Sequence, residues 1–215
     1  REVVRRICCD TGLLGEPIDP VFEDREVFAD YLTSYYTDRE PESSFVLEQD
    51  GAIAGYLLGC RQPRRQSGHS LRLLPALALK VVLRLARYNA ASRGYLRWVL
   101  LRSWREVPES PPGIPHFHIN LLPAARNVAS TRLLIDSYLD YLSGCGESQV
   151  CGQMVATGGR RGARMFERYG FRVLNKSEIT KYRAVRNEPV YLCTVLKDLE
   201  SNPQLYGSRP LADSR

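Results

Sequence analysis

His116-Phe-His-Ile-Asn-Leu-Leu-Pro-Ala-Ala-Arg126-Asn-Val-Ala-Ser-Thr131-Arg-Leu-Leu-Ile135 decides the reading of this chain. Side chains alternate in character from His116 to Leu122, the period of a strand, and Pro123 ends the run. Apolar residues then recur at helical spacing from Val128 onward, and Gly144 marks the stop of that helix. A strand that runs into a helix N-terminus leaves several backbone N–H groups unpaired and pointing outward. With the helix dipole they make an anion site. Arg126 adds a fixed positive charge and a fork of donors, so the layout suits a pyrophosphate.

Outward from this stretch, the elements alternate. Glu2 to Cys9 and Asp24 to Tyr36 read as helices, the second with Val27, Phe28, Tyr31 and Leu32 on one side, and Gly12 to Pro20 reads as a loop. Phe45 to Leu47 and Ile53 to Cys60 flank Asp50-Gly51, a hairpin turn pair. After the strand and helix already named, Gln149 to Ala156 reads as a strand, and Arg160 to Tyr169 as a helix stopped by Gly170. Phe171 to Leu174 with Ile179 to Tyr182, and Val190 to Leu196, form a last antiparallel set. The expected fold class is α/β: one domain over 1–200, a mixed and mostly antiparallel sheet around a central βαβ unit, and a polar tail over 201–215.

The chain of 215 residues carries a net charge of +6, unevenly placed. Between Arg61 and Arg105 stand eleven Lys or Arg and no Asp or Glu, which leaves −5 for everything else. The basic character therefore belongs to one segment, read as a helical pair inserted over 61–113. Pro75 suits the first turn of its first helix, on which Lys80, Arg84 and Arg87 form a narrow stripe among leucines and valines. Basic residues interleaved with Leu and Trp suit an anionic membrane surface, an acidic macromolecule or an anionic substrate; the plain alternative is a helical lid with solvated arginines. Nucleic acid is disfavoured, since no reading helix or aromatic stacking motif is present. The six cysteines, at 8, 9, 60, 145, 151 and 193, have no zinc spacing and read as mostly buried free thiols, so no metal site is expected. With no signal-peptide pattern and no apolar run of about 18 residues, the expected location is cytoplasmic, with peripheral membrane contact through 61–105 as the added expectation.

In this order and spacing the residues resemble the GCN5-related N-acetyltransferases, the GNAT family. Three pieces carry the resemblance: the hairpin Phe45 to Gly59, the strand and helix from His116, and Ala163-Arg-Met-Phe-Glu-Arg-Tyr-Gly-Phe171, which is similar to the family's helix ending in Gly-Phe. The N-terminal half and His116 to Pro123 most resemble bacterial members akin to the acetyltransferase-like domain found beside O-GlcNAc hydrolases. The family's first strand has no counterpart, since the chain starts inside the helix that follows it. The resemblance implies acetyl-CoA as co-substrate and transfer of its acetyl group to a primary amine. It puts the cofactor on Leu121 and Leu122 at the strand end and on Arg126, Asn127, Val128, Ala129, Ser130 and Thr131, where Ala129 and Thr131 stand in place of the family's usual glycines.

Acetyl transfer to an amine needs a base for the ammonium proton, a stabilised oxyanion and an acid for the leaving thiolate. His116, His118 and Asn120 project to one face of their strand, Phe117 and Ile119 to the other. His118 with His116 is the candidate base pair, and the His-x-His is similar to that of arylalkylamine N-acetyltransferases. The family's acid, a Tyr, falls on Phe166, which cannot donate a proton, and its frequent Asn partner falls on Gly159. A catalytically inactive acetyltransferase-like binding module, for a ligand, a protein or a membrane, is therefore the alternative reading.

Overall fold

The computed structural model describes residues 1–157 and 167–199. Six strands form one sheet in the order β1-β2-β3-β4-β6-β5, comprising β1 (Ser44–Gln49), β2 (Ala52–Cys60), β3 (His116–Leu121), β4 (Gln149–Thr157), β5 (Arg172–Glu178) and β6 (Val190–Asp198). Every neighbouring pair is antiparallel except β3 and β4. That one parallel pair needs a crossover, which α6 (Val128–Gly144) supplies. The β1–β2 turn is made by Asp50 and Gly51, both at positive φ (53° and 74°), as an Asp-Gly hairpin requires.

The sheet separates two apolar layers. On one face lie α1 (Glu2–Asp10) and α2 (Arg25–Arg39), with Ile7, Phe22, Phe28, Tyr36 and Tyr56 in their core. On the other lies α6, whose Leu134, Ile135, Tyr138 and Leu142 pack on Phe117, Val150, Phe171 and Val195. Tyr138 comes so close to the sheet that the strand opposite it must be glycine there. A Cβ on Gly59 would sit 2.2 Å from the Tyr138 ring and 2.3 Å from the Ser43 carbonyl.

The basic segment is helical, as its leucine spacing suggests, but its boundaries differ from the sequence reading. It comprises α3 (Pro63–Arg84), α4 (Ala90–Leu101) and the single turn α5 (Ser103–Glu106). The first-turn proline is Pro63, and Pro75 lies inside α3 with its ring on the exposed side. The helix runs past Pro75 because Leu73 and Leu77 anchor it on the α1–α2 layer from either side of the break. Two further readings change. Tyr31 points to solvent rather than to the core of α2, and Ile179 to Tyr182 is no strand but the lead into a 3-10 turn over Thr180–Tyr182. Of the expected helix Arg160–Tyr169, residues 160–166 lie outside the described residues, with the family positions Phe166 and Gly159, as does the tail 201–215. Gly170 has the positive φ (76°) of a helix-stop residue. All six cysteines are free; all but Cys145 are buried, and burial pushes the Cys8 thiol up to about 12.

Candidate active site

β3 and β4 pair only through His116 with Cys151 and Phe117 with Gly152, although β3 runs on to Leu121 and β4 to Thr157. Past Phe117 the two strands have no pairing, and a wedge opens in the middle of the sheet. The Leu122 amide bonds the Ala54 carbonyl on β2 at 2.9 Å, and the Cys151 amide bonds the Pro115 carbonyl across the β3–β4 seam at 2.8 Å. Strand alternation therefore turns the peptide groups of Ile119 and Leu121 toward the wedge. Unpaired strand backbone of this kind is a template for an extended, amide-bearing ligand.

At the wide end of the wedge stands the N-terminus of α6. Asn127 is its N-cap, and its side-chain oxygen accepts from the Ser130 amide at 2.9 Å. The Thr131 amide bonds the Asn127 carbonyl, and the Thr131 hydroxyl donates to that same carbonyl at 2.8 Å. Thr131 thus turns onto its own helix instead of filling the loop mouth. The amides of Val128 and Ala129 have no partner among the described residues, and both residues are exposed. Of the predicted cofactor residues, Asn127 to Thr131 thus gather around one helix end, with two amides free at its first turn. Leu122 is half-buried beside them, while the Leu121 side chain is buried in the α6 layer.

Arg126 stands beside this helix end, with its guanidinium bonded to the Gly15 carbonyl and, at 3.4 Å, to the Leu121 carbonyl. It therefore ties the loop after α1 to the end of β3, a link across more than a hundred residues that no sequence spacing announces. Gly15, at φ 94°, is in close contact with the guanidinium; a Cβ there would lie 2.4 Å from it.

On the α1–α2 face of the wedge, β3 presents His116, His118 and Asn120 together, as strand alternation dictates. His116 meets Tyr36, whose hydroxyl lies 3.3 Å from its Nε2. Burial holds its pKa below the usual histidine value, against the upward pull of Glu40 and of the Ile114 backbone. Asn120 donates to the Tyr56 hydroxyl at 2.8 Å.

His118 has no hydrogen-bond partner among the described residues, and its ring reaches solvent through the wedge, edge-on to Tyr36 with centroids 5.9 Å apart. Surrounding protein, the neighbouring His116 and the Lys181 ammonium push its pKa down, to about 4. At pH 7 the imidazole is neutral and can accept a proton.

Three side chains of this face were not singled out by sequence. Lys181 lies over the rings of Tyr182, Trp98 and Tyr95 at 4.8, 5.1 and 5.8 Å, with no carboxylate within 4 Å among the described residues, and burial lowers its pKa to about 8. It sits on the 3-10 turn that the sequence reading took for strand. Tyr36 closes the His116 side, and Glu40, fully buried, accepts from Tyr35 at 2.7 Å and Ser43 at 2.6 Å and binds the Arg61 amide at the start of the insertion. No periodicity marks these residues, because each acts through a contact between distant elements. The insertion thus reaches Lys181 through Tyr95 and Trp98.

Among the described residues no group of three or more His, Cys, Asp or Glu is placed to hold a metal ion. The sequence matches no family model and no curated protein. Solved structures do match. SsHAT is 25% identical over 92% of each chain, with a TM-score of 0.59. A polyamine N-acetyltransferase of Drosophila melanogaster, which forms N-acetylagmatine, is 14% identical over 92% of this chain and 94% of its own, with a TM-score of 0.53. A GNAT superfamily phosphinothricin acetyltransferase from Sinorhizobium meliloti, solved with acetyl-CoA, is 13% identical over 96% of this chain and 93% of its own, with a TM-score of 0.51. A six-stranded mixed sheet opened between its one parallel pair, with a helix N-terminus at the opening and relatives of this shape, gives this chain the GNAT acetyltransferase fold.

Proposed function

We propose that the chain is an acetyl-CoA-dependent N-acetyltransferase acting on a primary amine. The observation that carries this reading is the wedge, with unpaired β3 backbone along one edge and two free α6 amides at its mouth. Acetyl-CoA, which supplies a thioester activated for attack by an amine, has the shape for that wedge: peptide-like amides along its arm and a pyrophosphate at a fixed distance. The peptide groups of Ile119 and Leu121 would hold the arm. Leu122 would pack beside it. The amides of Val128 and Ala129, in the positive end of the helix dipole, would hold the pyrophosphate, with Asn127, Ser130 and Thr131 shaping that turn. Arg126 would turn part of its donor fork to phosphate while keeping its hold on the α1 loop.

On the opposite face, the neutral His118 imidazole accepts a hydrogen bond from the incoming amine and takes its proton, directly or through one water. The hydrogen-bonded His116–Tyr36 pair fixes the wall beside it. Its low proton affinity makes His118 a modest base, one that favours an acceptor already in its free-amine form. The Tyr36 ring, edge-on to His118, would give that acceptor an aromatic wall. We retain the finer kinship, to the acetyltransferase-like domain beside O-GlcNAc hydrolases, as the reading of His116 to Pro123.

A binding module without turnover is the competing reading. The capping of the Ser130 amide by Asn127, which removes one donor from the helix end, favours it. Calorimetry with acetyl-CoA and coenzyme A, followed by an amine screen, separates the two. We expect binding of both. Arg126→Ala should weaken acetyl-CoA by about 1.5–3 kcal/mol, the range for a hydrogen bond to a charged group, with an unchanged circular dichroism spectrum. Absence of binding at millimolar acetyl-CoA would overturn the enzyme reading, and binding without turnover across the amine screen would favour the module.

A further inference from the structure

The helix α3 is inside out. Its polar stripe faces the protein: Lys80 bonds Glu26 at 2.7 Å and Asp30 at 3.1 Å on α2, and Arg84 bonds Asp24 at 3.0 Å and Glu26 at 2.7 Å. These cations, read in the sequence as an outward stripe, are thus already paired. The opposite face carries Leu71, Leu74, Leu79, Val82 and Leu83, each between 45% and 73% exposed. With the exposed Pro75 and Ala78 between them, they make one continuous apolar stripe at helical spacing. It continues onto α4 and α5, where Leu100 is 76% and Trp104 67% exposed. An open groove of about 730 Å³ joins the helices, floored by Val82, Leu85, Leu100 and Leu101 and rimmed by Arg93 and Arg97.

Free-standing leucine stripes of this length are costly in water, at about 25 cal/mol per Å² of apolar surface, so the face is built to be covered. The rim says by what. Arg93 and Arg97 line it, Arg72, Arg87 and Arg105 are exposed on the same helical segment, and from Arg61 to Arg105 there is no acidic residue. A second copy meeting the same face about a twofold axis would set arginine rim against arginine rim. Nucleic acid would find the charges but no use for the leucines. Anionic phospholipid headgroups satisfy both, accepting the arginines while the acyl boundary takes the leucines and Trp104. Among the described residues no helix is long and apolar enough to cross a membrane, so this geometry is one of lying on the surface.

We propose that the α3–α4–α5 face docks the protein on an anionic lipid surface. The inference stands apart from acetyl transfer, since it uses no residue of the wedge.

The test is co-sedimentation of the full chain with phosphatidylcholine vesicles, pure or with phosphatidylglycerol, at low and high salt. Binding is expected only to the mixed vesicles and should fall steeply with ionic strength. Trp104 emission should shift to the blue on binding, and Trp104→Phe should remove the shift, because Trp98 is already buried. Replacing Arg93 and Arg97 together with Gln should weaken binding roughly 25-fold, about fivefold for each charge at about 1 kcal/mol apiece. Leu79→Glu with Leu83→Glu should abolish it while leaving acetyl-CoA affinity and circular dichroism intact. Equal binding to both vesicle types, or none to either, would overturn the proposal. A self-associating chain that the Leu79→Glu and Leu83→Glu pair renders monomeric, with no vesicle binding, would assign the face to a second copy instead.

Discussion

His118 and His116 stand two residues apart on one strand face and yet have different surroundings. The Tyr36 hydroxyl lies 3.3 Å from Nε2 of His116. The His118 ring lies open to the wedge, and burial, His116 and Lys181 lower its pKa to about 4. A histidine with its ordinary value would give an acid limb near pH 6–7. The structure moves that limb down: the neutral, proton-accepting form persists as pH falls and is lost only on passing through the depressed value. With a saturating amine found by screening, kcat should be level between pH 6 and 8 and decline below about pH 5. His118→Ala should reduce kcat at pH 7 by roughly 10²–10⁴, the scale of a positioned general base. His116→Ala should do less at the chemical step. A limb at 6.5 that survives in His118→Ala would reassign the base.

At the scale of elements, α3 is held to α2 by charge as much as by leucine. Asp24 does three things at once. It caps α2 by accepting from the Val27 amide at 3.1 Å, accepts from the Tyr88 hydroxyl at 2.6 Å, and pairs with Arg84 at 3.0 Å. Burial alone pushes its pKa up, but these three partners outweigh it and hold the carboxyl below the usual range. Asp30, between Arg5 and Lys80, is held low in the same way. For a depressed carboxyl the stabilisation is complete above its unfolded value near 3.9 and is lost as pH falls through the folded value. Asp24→Ala should therefore cost about 2 kcal/mol at pH 7, from the lost cap and charge-assisted hydrogen bonds. Urea melts at pH 3 should show a smaller gap between variant and wild type, because the wild type is by then losing the same carboxylate. A gap that does not change with pH would mean that Asp24 acts through packing alone.

For the whole molecule, the sheet is two halves joined by a short seam. β1, β2 and β3 form one, β4, β6 and β5 the other, and only two residue pairs link β3 to β4. A ligand that lies in the wedge bridges both halves, so it should stabilise the entire fold. At a hundred times its Kd, acetyl-CoA should contribute about 2.7 kcal/mol. For a chain of this length that corresponds to a rise in Tm of about 5–10 °C. Thermal melts with and without acetyl-CoA check this, and no shift at millimolar acetyl-CoA would place the ligand elsewhere or nowhere.

Local chemistry was legible in the sequence wherever a residue needs only its neighbours. Asp50-Gly51 makes its hairpin because both positions accept positive φ. The alternation in His116 to Leu122 sets which side chains share a face, and the α/β order of elements follows from such periods. Pairing between distant elements was not legible. Lys80 and Arg84 looked free because Glu26 and Asp30, their partners, lie about fifty residues away on α2. Arg126 looked like a phosphate ligand alone, and only the fold brings the Gly15 carbonyl to it. Lys181 carried no signal, since a lysine on an irregular turn acquires meaning from the rings that the insertion folds around it. The sequence alone determined the local backbone, the helix end and the residue types at the wedge. The tertiary structure decided which charges are neutralised, which histidine is left open and which leucines face water, because those depend on distances between segments that no spacing along the chain encodes.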